Sequence, residues 1–185
     1  LCPSLLPASQ QEDLLQLAVD ALKCCNFDVG VFHVECKMTS RGPRLIEINA
    51  RMGGGQVRKT HLLCSGVDLV EETLFTSVGI PCNPHVSVQD KAVAYTYVTS
   101  DKSGVIDGIQ AEANRIAKCD PKVVYAKPLV SDGATIVGAR DALPDWVLDV
   151  MTTDADPKAA LDHCLALAGT LDMTKLVTTP SPSPI

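Results

Sequence analysis

This sequence predicts an α/β fold of the α+β kind: an antiparallel sheet with flanking helices, followed by a smaller α+β subdomain. Three observations predict it. Residues 9–25 carry apolar side chains at helical spacing. Two strand patterns, 29–38 and 44–51, are separated only by a short turn, which makes them an antiparallel hairpin. Beyond residue 90 a β-rich stretch ends in a strand and a well-capped helix.

In the first helix Ser9 and Glu12 form a capping box, in which each side chain serves an orphan backbone N–H. Leu14, Leu15, Leu17, Ala18, Ala21, Leu22 and Cys25 follow at helical spacing, and Asn26 is the stop. From Val29 to Met38, Phe32, Val34, Cys36 and Met38 are apolar while His33, Glu35 and Lys37 are polar, the alternation of a half-buried strand. Thr39 to Pro43 reads as the turn, punctuated by Gly42-Pro43. Arg44 to Arg51 is the second strand, with Ile46, Ile48 and Ala50 on one face and Leu45, Glu47, Asn49 and Arg51 on the other.

The glycines Gly53, Gly54 and Gly55 come next, then a helical pattern over 57–78 that Gly66 breaks in two. Pro81 to Pro84 reads as a linker. A strand follows over Ala92–Val98, and the stretch to Val137 reads as β-rich, with turns at Ser103-Gly104 and Asp132-Gly133. Trp146 to Met151 reads as the final strand, with Trp146 in the core. Asp156-Pro157 opens the last helix, Asp as N-cap and Pro at the first helical position. Three segments are expected: 1–90 with the hairpin and glycine run, 91–176 as the α+β subdomain, and a Pro/Ser-rich tail over 177–185 that composition marks as disordered.

Composition narrows the functional classes. The chain has 185 residues, 46% hydrophobic and 21% charged, and a net charge of −6. Lys and Arg are scattered and only 4% of residues are aromatic, so no nucleic-acid partner is expected. Apolar runs fall short of the roughly 18 residues a membrane span needs, and no signal peptide opens the chain. It begins with Leu1 rather than Met, which suggests a piece of a longer protein. The eight cysteines contain no Cys-x-x-Cys pair and read as small buried hydrophobes and free thiols of a reducing, cytoplasmic compartment.

The chemistry concentrates in the hairpin. If Met38 opposes Arg44, Glu35 opposes Glu47 and His33 opposes Asn49, with the two glutamates' Cβ atoms about 5 Å apart on one face. Facing carboxylates repel, and a bound divalent cation is the usual remedy. Glu35, Glu47 and Asn49 offer only oxygens, which suits Mg²⁺ or Mn²⁺ rather than Zn²⁺. Mg²⁺ keeps open positions for substrate phosphate, so a nucleotide is its natural companion. Arg51 can grip a phosphate or acyl phosphate. Gly53, Gly54 and Gly55 let backbone N–H groups approach an anion, and Arg58 just beyond can touch phosphate or carboxylate. The competing reading is a solvated strand face in which Lys37, Arg41 or Arg44 neutralises the glutamates, a plain glycine loop, and a solvated start to the next helix. His33 reads as a hydrogen-bonded structural residue, Arg140 and Asp141 as surface charges, and Cys36, on the apolar face, as no nucleophile.

The run Gly30-Val31-Phe32-His33-Val34-Glu35-Cys36, then Gly42-Pro43-Arg44-Leu45-Ile46-Glu47-Ile48-Asn49-Ala50-Arg51-Met52-Gly53-Gly54-Gly55, resembles the C-terminal lobe of the ATP-grasp superfamily. Its Ala-Arg-Met-Gly-Gly-Gly form resembles the branch that joins amino acids into dipeptides. The resemblance implies two Mg²⁺ or Mn²⁺ ions, one held by Glu35 and Glu47 and one by Glu47 and Asn49, with Arg51 as the catalytic cation. It implies ATP as co-substrate, β-alanine and L-histidine as the joined amino acids, an acyl-phosphate route, and a homo-oligomer. The adenine-clamping lobes of such enzymes precede the stretch seen here, so the chain is not expected to turn over alone. A biotin-carboxylase-like ATP-grasp ligase and a non-catalytic nucleotide- or metal-binding module are the alternatives.

Overall fold

A computed structural model describes residues 1–87 and 91–178. The chain divides into two units, Cys2–Asp90 and the residues from Lys91 on together with Leu1.

The first unit opens with helix α1, Ala8–Cys24, which lies against the hairpin of β1, His33–Thr39, and β2, Gly42–Asn49. The expected capping box does not form. The helix begins one residue early, after Pro7, so Ser9 falls inside the first turn and no side chain caps the end. Gln11 instead reaches back, its Nε2 donating to the Leu6 carbonyl at 2.7 Å. The C-terminus closes as the sequence indicates: Asn26 takes a left-handed φ of 56°. The Phe27 amide then reaches the Leu22 carbonyl and the Asn26 amide that of Lys23, each at 3.0 Å. Cys24 and Cys25 are exposed, not buried, because they sit on the solvent side of the last turn. Leu15 is exposed as well.

Both strands are shifted from their expected bounds. Gly30 has a φ of +143°, which keeps 29–32 out of the ladder until His33. At the other end Gly42 and Pro43 belong to β2, leaving a turn of Ser40 and Arg41, while Ala50 and Arg51 lie beyond the strand. Helices α2, Val57–Ser65, and α3, Leu69–Ser77, flank Gly66, whose left-handed φ of 73° ends the first of them. Asp68 caps the second by accepting from the Val70 amide at 3.0 Å.

The second unit holds most of the buried core. Strands β3, Ala92–Thr99, β5, Val123–Pro128, and β7, Trp146–Asp154, form an antiparallel sheet with β7 in the middle. Helices α4, Ile109–Cys119, and α5, Pro157–Ala168, pack on it. Ala92, Ala94, Leu148 and Val150 meet Ile109, Ile116, Ala160 and Cys164 in one cluster. Helix α4 replaces part of the expected β-rich stretch. Its apolar signal is sparse, Ile109, Ala113 and Ile116 among polar residues, and its first amide is capped from 23 residues away by Asp132 Oδ1 at 2.8 Å. The Asp156-Pro157 start of α5 is as expected, with the Asp156 carboxylate accepting from the Ala159 amide at 2.7 Å.

A second small sheet joins β6, Thr135–Ile136, β4, Gly104–Ile106, and β8, Val177–Thr178, in that order; the short helix α6, Met173–Leu176, precedes β8. Two expectations change here. Val177 and Thr178 are paired with Ile106 and Val105 and so are not part of a disordered tail; residues 179–185 lie outside the described residues. Gly104 is strand, not turn: it pairs with Ile136, and glycine is needed there because a Cβ would strike the Thr178 carbonyl. Trp146 is 57% exposed rather than core: it starts β7 at a register shift and stacks flat on Tyr97, centroids 4.3 Å apart. Among the described residues no helix is long and apolar enough to cross a membrane.

Candidate active-site hairpin

The hairpin brings Glu35 opposite Glu47 and His33 opposite Asn49, as the alternation indicates. It does so by a different path. At the turn Met38 faces Pro43 and Lys37 faces Arg44, one residue out of step with the expected pairing of Met38 and Arg44. A β-bulge between Glu35 and Cys36 absorbs the extra residue, Ile46, which is 62% exposed. The tight turn and the acidic pairing are compatible only through that bulge.

Neither glutamate has a cationic side chain beside it among the described residues. Arg44 turns its guanidinium to the Pro43 carbonyl at 2.7 Å, and among the described residues neither Lys37 nor Arg41 makes an ion pair. The nearest basic group is His33, whose Nδ1 lies 3.9 Å from Glu35 Oε1, with Glu35 44% and His33 30% exposed at the side chain. That nitrogen is buried and among the described residues has no hydrogen-bond partner, so His33 differs from the hydrogen-bonded structural histidine expected. Facing carboxylates without a counter-cation are the donor set a hard divalent ion fits. Among the described residues no three His, Cys, Asp or Glu side chains gather, so the set is two carboxylates and an amide.

Asn49 and Arg51 act together. The Asn49 amide donates to the His33 carbonyl at 3.5 Å, and its Oδ1 accepts from Arg51 at 3.2 Å. The other arm of the Arg51 guanidinium donates to the Met52 carbonyl at 3.0 Å. Arg51 is therefore held by neutral oxygens, and among the described residues no carboxylate pairs with its charge. Cys36 is half-buried, and burial pushes its thiol pKa up, against a nucleophilic role.

The glycines differ from one another. Gly53 is buried, and a Cβ there would collide with Val57 Cγ2 at 2.7 Å. Gly54 is open, and Gly55 needs its positive φ of 58°. Arg51, Gly53 and Gly54 line a cleft of about 710 Å³ whose other walls include Phe32, Val70 and Leu74. Gly55 and Arg58 are not among its lining. The part α3 plays in this cleft is missed by reasoning from the sequence; the signal is the outward stripe of Val70 and Leu74, four residues apart.

Arg58 does not point at the cleft. It grips Asp68 through two bonds, Nε to Oδ1 at 2.8 Å and an amino nitrogen to Oδ2 at 2.5 Å. That fork, helped by the Val70 amide, lowers the Asp68 carboxyl from 3.8 to about 2. A depressed folded-state pKa contributes stability above the unfolded value and loses it as pH falls. The melting temperature should thus drop between pH 3.8 and about 2, and Asp68→Asn, which keeps the cap, should flatten that part of the profile. An unchanged profile in the variant would remove the pair from the acid response. In the second unit Arg140 pairs with Asp101 at 3.3 Å and Asp141 accepts from Ser103, surface roles as expected.

No family model matches the chain. Its sequence resembles carnosine synthase 1: it is 40% identical to the Gallus gallus protein over 79 residues and 41% to that of Homo sapiens over 78, about two fifths of this chain. Those alignments span 8% and 9% of the relatives' length. Among solved structures, the L-amino acid ligase from Bacillus licheniformis superposes with a TM-score of 0.73 at 15% identity, over 97% of this chain and 43% of that one. Phosphoribosylglycinamide synthetase from Anaerococcus prevotii gives 0.72 at 12% identity, over 97% and 44%. The fold is that of the ATP-grasp ligases. Within this ATP-grasp fold the matched structures extend well beyond the portion seen here, since more than half of each lies outside the superposition.

Proposed function

We propose that this chain carries the divalent-cation and phosphate-handling portion of an ATP-dependent carboxylate–amine ligase that forms dipeptides in the cytoplasm. The observation that carries the reading is the Glu35–Glu47 pair, facing across the bulged hairpin with no cationic side chain between them and with Asn49 and Arg51 beside it. Glu35 and Glu47 would hold one Mg²⁺ or Mn²⁺, and Glu47 with Asn49 a second. Bound there, the ions would neutralise charge on the phosphoryl oxygens. Asn49 Oδ1 now accepts from Arg51, so cation binding at Asn49 would release the guanidinium toward the phosphoryl group. A carboxylate oxygen attacks the γ-phosphorus of ATP, ADP leaves, and Arg51 stabilises the transferring group. The amine of the second amino acid then attacks the acyl carbon, loses a proton and expels phosphate.

The likeness to carnosine synthases supports β-alanine and L-histidine as the pair, and lobes outside this stretch would clamp the adenine. The test is Mg²⁺-dependent ADP release by the full-length protein carrying this chain, omitting one amino acid at a time. ADP formed only with both present is the expected result. ADP formed with other carboxylate and amine pairs keeps the ligase and discards this pair. ATP bound without ADP formation under any pairing points to a non-catalytic nucleotide-binding module.

A further inference from the structure

We infer that His33 is a positioning residue for the proposed cation site: its Nδ1–H donates to the Glu35 carboxylate and leaves that group's other oxygen turned to the ion. The inference rests on the proposed ligase site, because the ion it serves is the one proposed there.

His33 and Glu35 stand two residues apart on β1, on the face that also carries Glu47 and Asn49. The His33 side chain is only 30% exposed, and its Nδ1 is sealed from solvent. Among the described residues that nitrogen has no hydrogen-bond partner, and Glu35 Oε1 lies 3.9 Å away. A polar atom closed off from water and left unpaired costs free energy, so the arrangement favours an acceptor that can reach it. Glu35 can reach it. Its side chain is 44% exposed, and closing to a charge-assisted bond of about 2.8 Å needs a shift of roughly 1 Å, within the swing of a glutamate side chain. In a neutral imidazole one nitrogen carries the proton, and an acceptor beside Nδ1 selects the Nδ1–H form. The carboxylate then has one oxygen engaged and one free for a cation shared with Glu47. His33 also acts through its backbone. Its carbonyl accepts from the Asn49 amide at 3.5 Å, which leaves Asn49 Oδ1 for Arg51 or for an ion. One residue thus orients a carboxylate and an amide of the same donor set. Nδ1 is not itself a ligand, since it is closed to a hydrated ion and Mg²⁺ takes oxygen.

The test is Mn²⁺ binding by the full-length protein in the presence of ADP, read from the electron paramagnetic resonance spectrum of protein-bound Mn²⁺. Two variants separate the donor from the ring. His33→Phe keeps a ring without nitrogens, and His33→Asn places an amide N–H close to where Nδ1 stands. His33→Phe should weaken Mn²⁺ binding about tenfold or more, the loss expected when a group that orients a ligand is removed. His33→Asn should stay within about threefold of the wild type, because it restores the donor. In a Glu35→Ala background His33→Phe should cost nothing further, since its action runs through Glu35. Wild-type affinity in His33→Phe, an equal loss in His33→Asn, or a loss that persists in the Glu35→Ala background would overturn the inference. No protein-bound Mn²⁺ in the wild type would overturn it together with the cation site. The two readings otherwise fail separately. Mn²⁺ binding indifferent to His33→Phe, with ADP still released when both amino acids are present, overturns the positioning role and leaves the ligase. Mn²⁺ binding that responds to His33 as expected, with no ADP under any pairing, upholds the positioning role and removes the ligase.

Discussion

Glu47→Gln should reduce Mg²⁺-dependent ADP formation in the full-length protein by about a hundredfold or more, with no loss of folding stability. Glu47 is the ligand the two proposed cation sites share, so neutralising it weakens both. It is also exposed, and among the described residues it makes no hydrogen bond or ion pair, so no protein interaction is lost with its charge. Directly opposed like charges destabilise a strand pair by roughly 0.2–1 kcal/mol, and the substitution relieves that repulsion across from Glu35. The urea midpoint should hold or rise slightly while ADP release collapses. Wild-type turnover by Glu47→Gln would sink the shared-ligand assignment, and a large drop in the midpoint would mean that the pair is structural.

Arg51→Ala should lower kcat by about a hundred- to a thousandfold and change the KM for ATP little. The guanidinium is placed by Asn49 Oδ1 and the Met52 carbonyl, and among the described residues its charge has no acidic partner. Charge developing on the transferring phosphoryl group is where such a cation acts. Arg51→Lys keeps the charge but not the planar fork that reaches both oxygens, so it should recover only part of the rate. Measured kcat and KM separate the outcomes. A pure rise in KM for ATP would make Arg51 a ground-state binding residue and contradict the proposed role.

How far the site could be read in advance depended on the range of the interactions involved. The pairing of Glu35 with Glu47 was legible because strand alternation is a local, period-two property of the backbone. It was reached with the wrong turn register, since a bulge at Ile46 is a compromise between turn and ladder that no short pattern announces. Arg58 looked like an anion-binding residue by its place after the glycines, yet Asp68, ten residues on, meets it as soon as Gly66 folds α3 back. The cleft's apolar wall was missed because a helical pattern over 57–78 does not say which of its apolar residues face outward, and only packing shows that Leu74 does.

By itself the sequence determined the hairpin, the break at Gly66, the stop at Asn26, the Asp156 cap of α5 and the acidic pair, all properties of neighbouring residues and backbone geometry. Only the tertiary structure decided that Ile109–Cys119 is a helix capped from Asp132, that Val177 and Thr178 complete a sheet with β4, that Trp146 lies on the surface, and that Arg51 rests on Asn49 at the mouth of an apolar cleft. The hydrogen bonds and contacts that settle the first three join residues distant in the chain, and the fourth depends on how α3 packs. No local pattern specifies them.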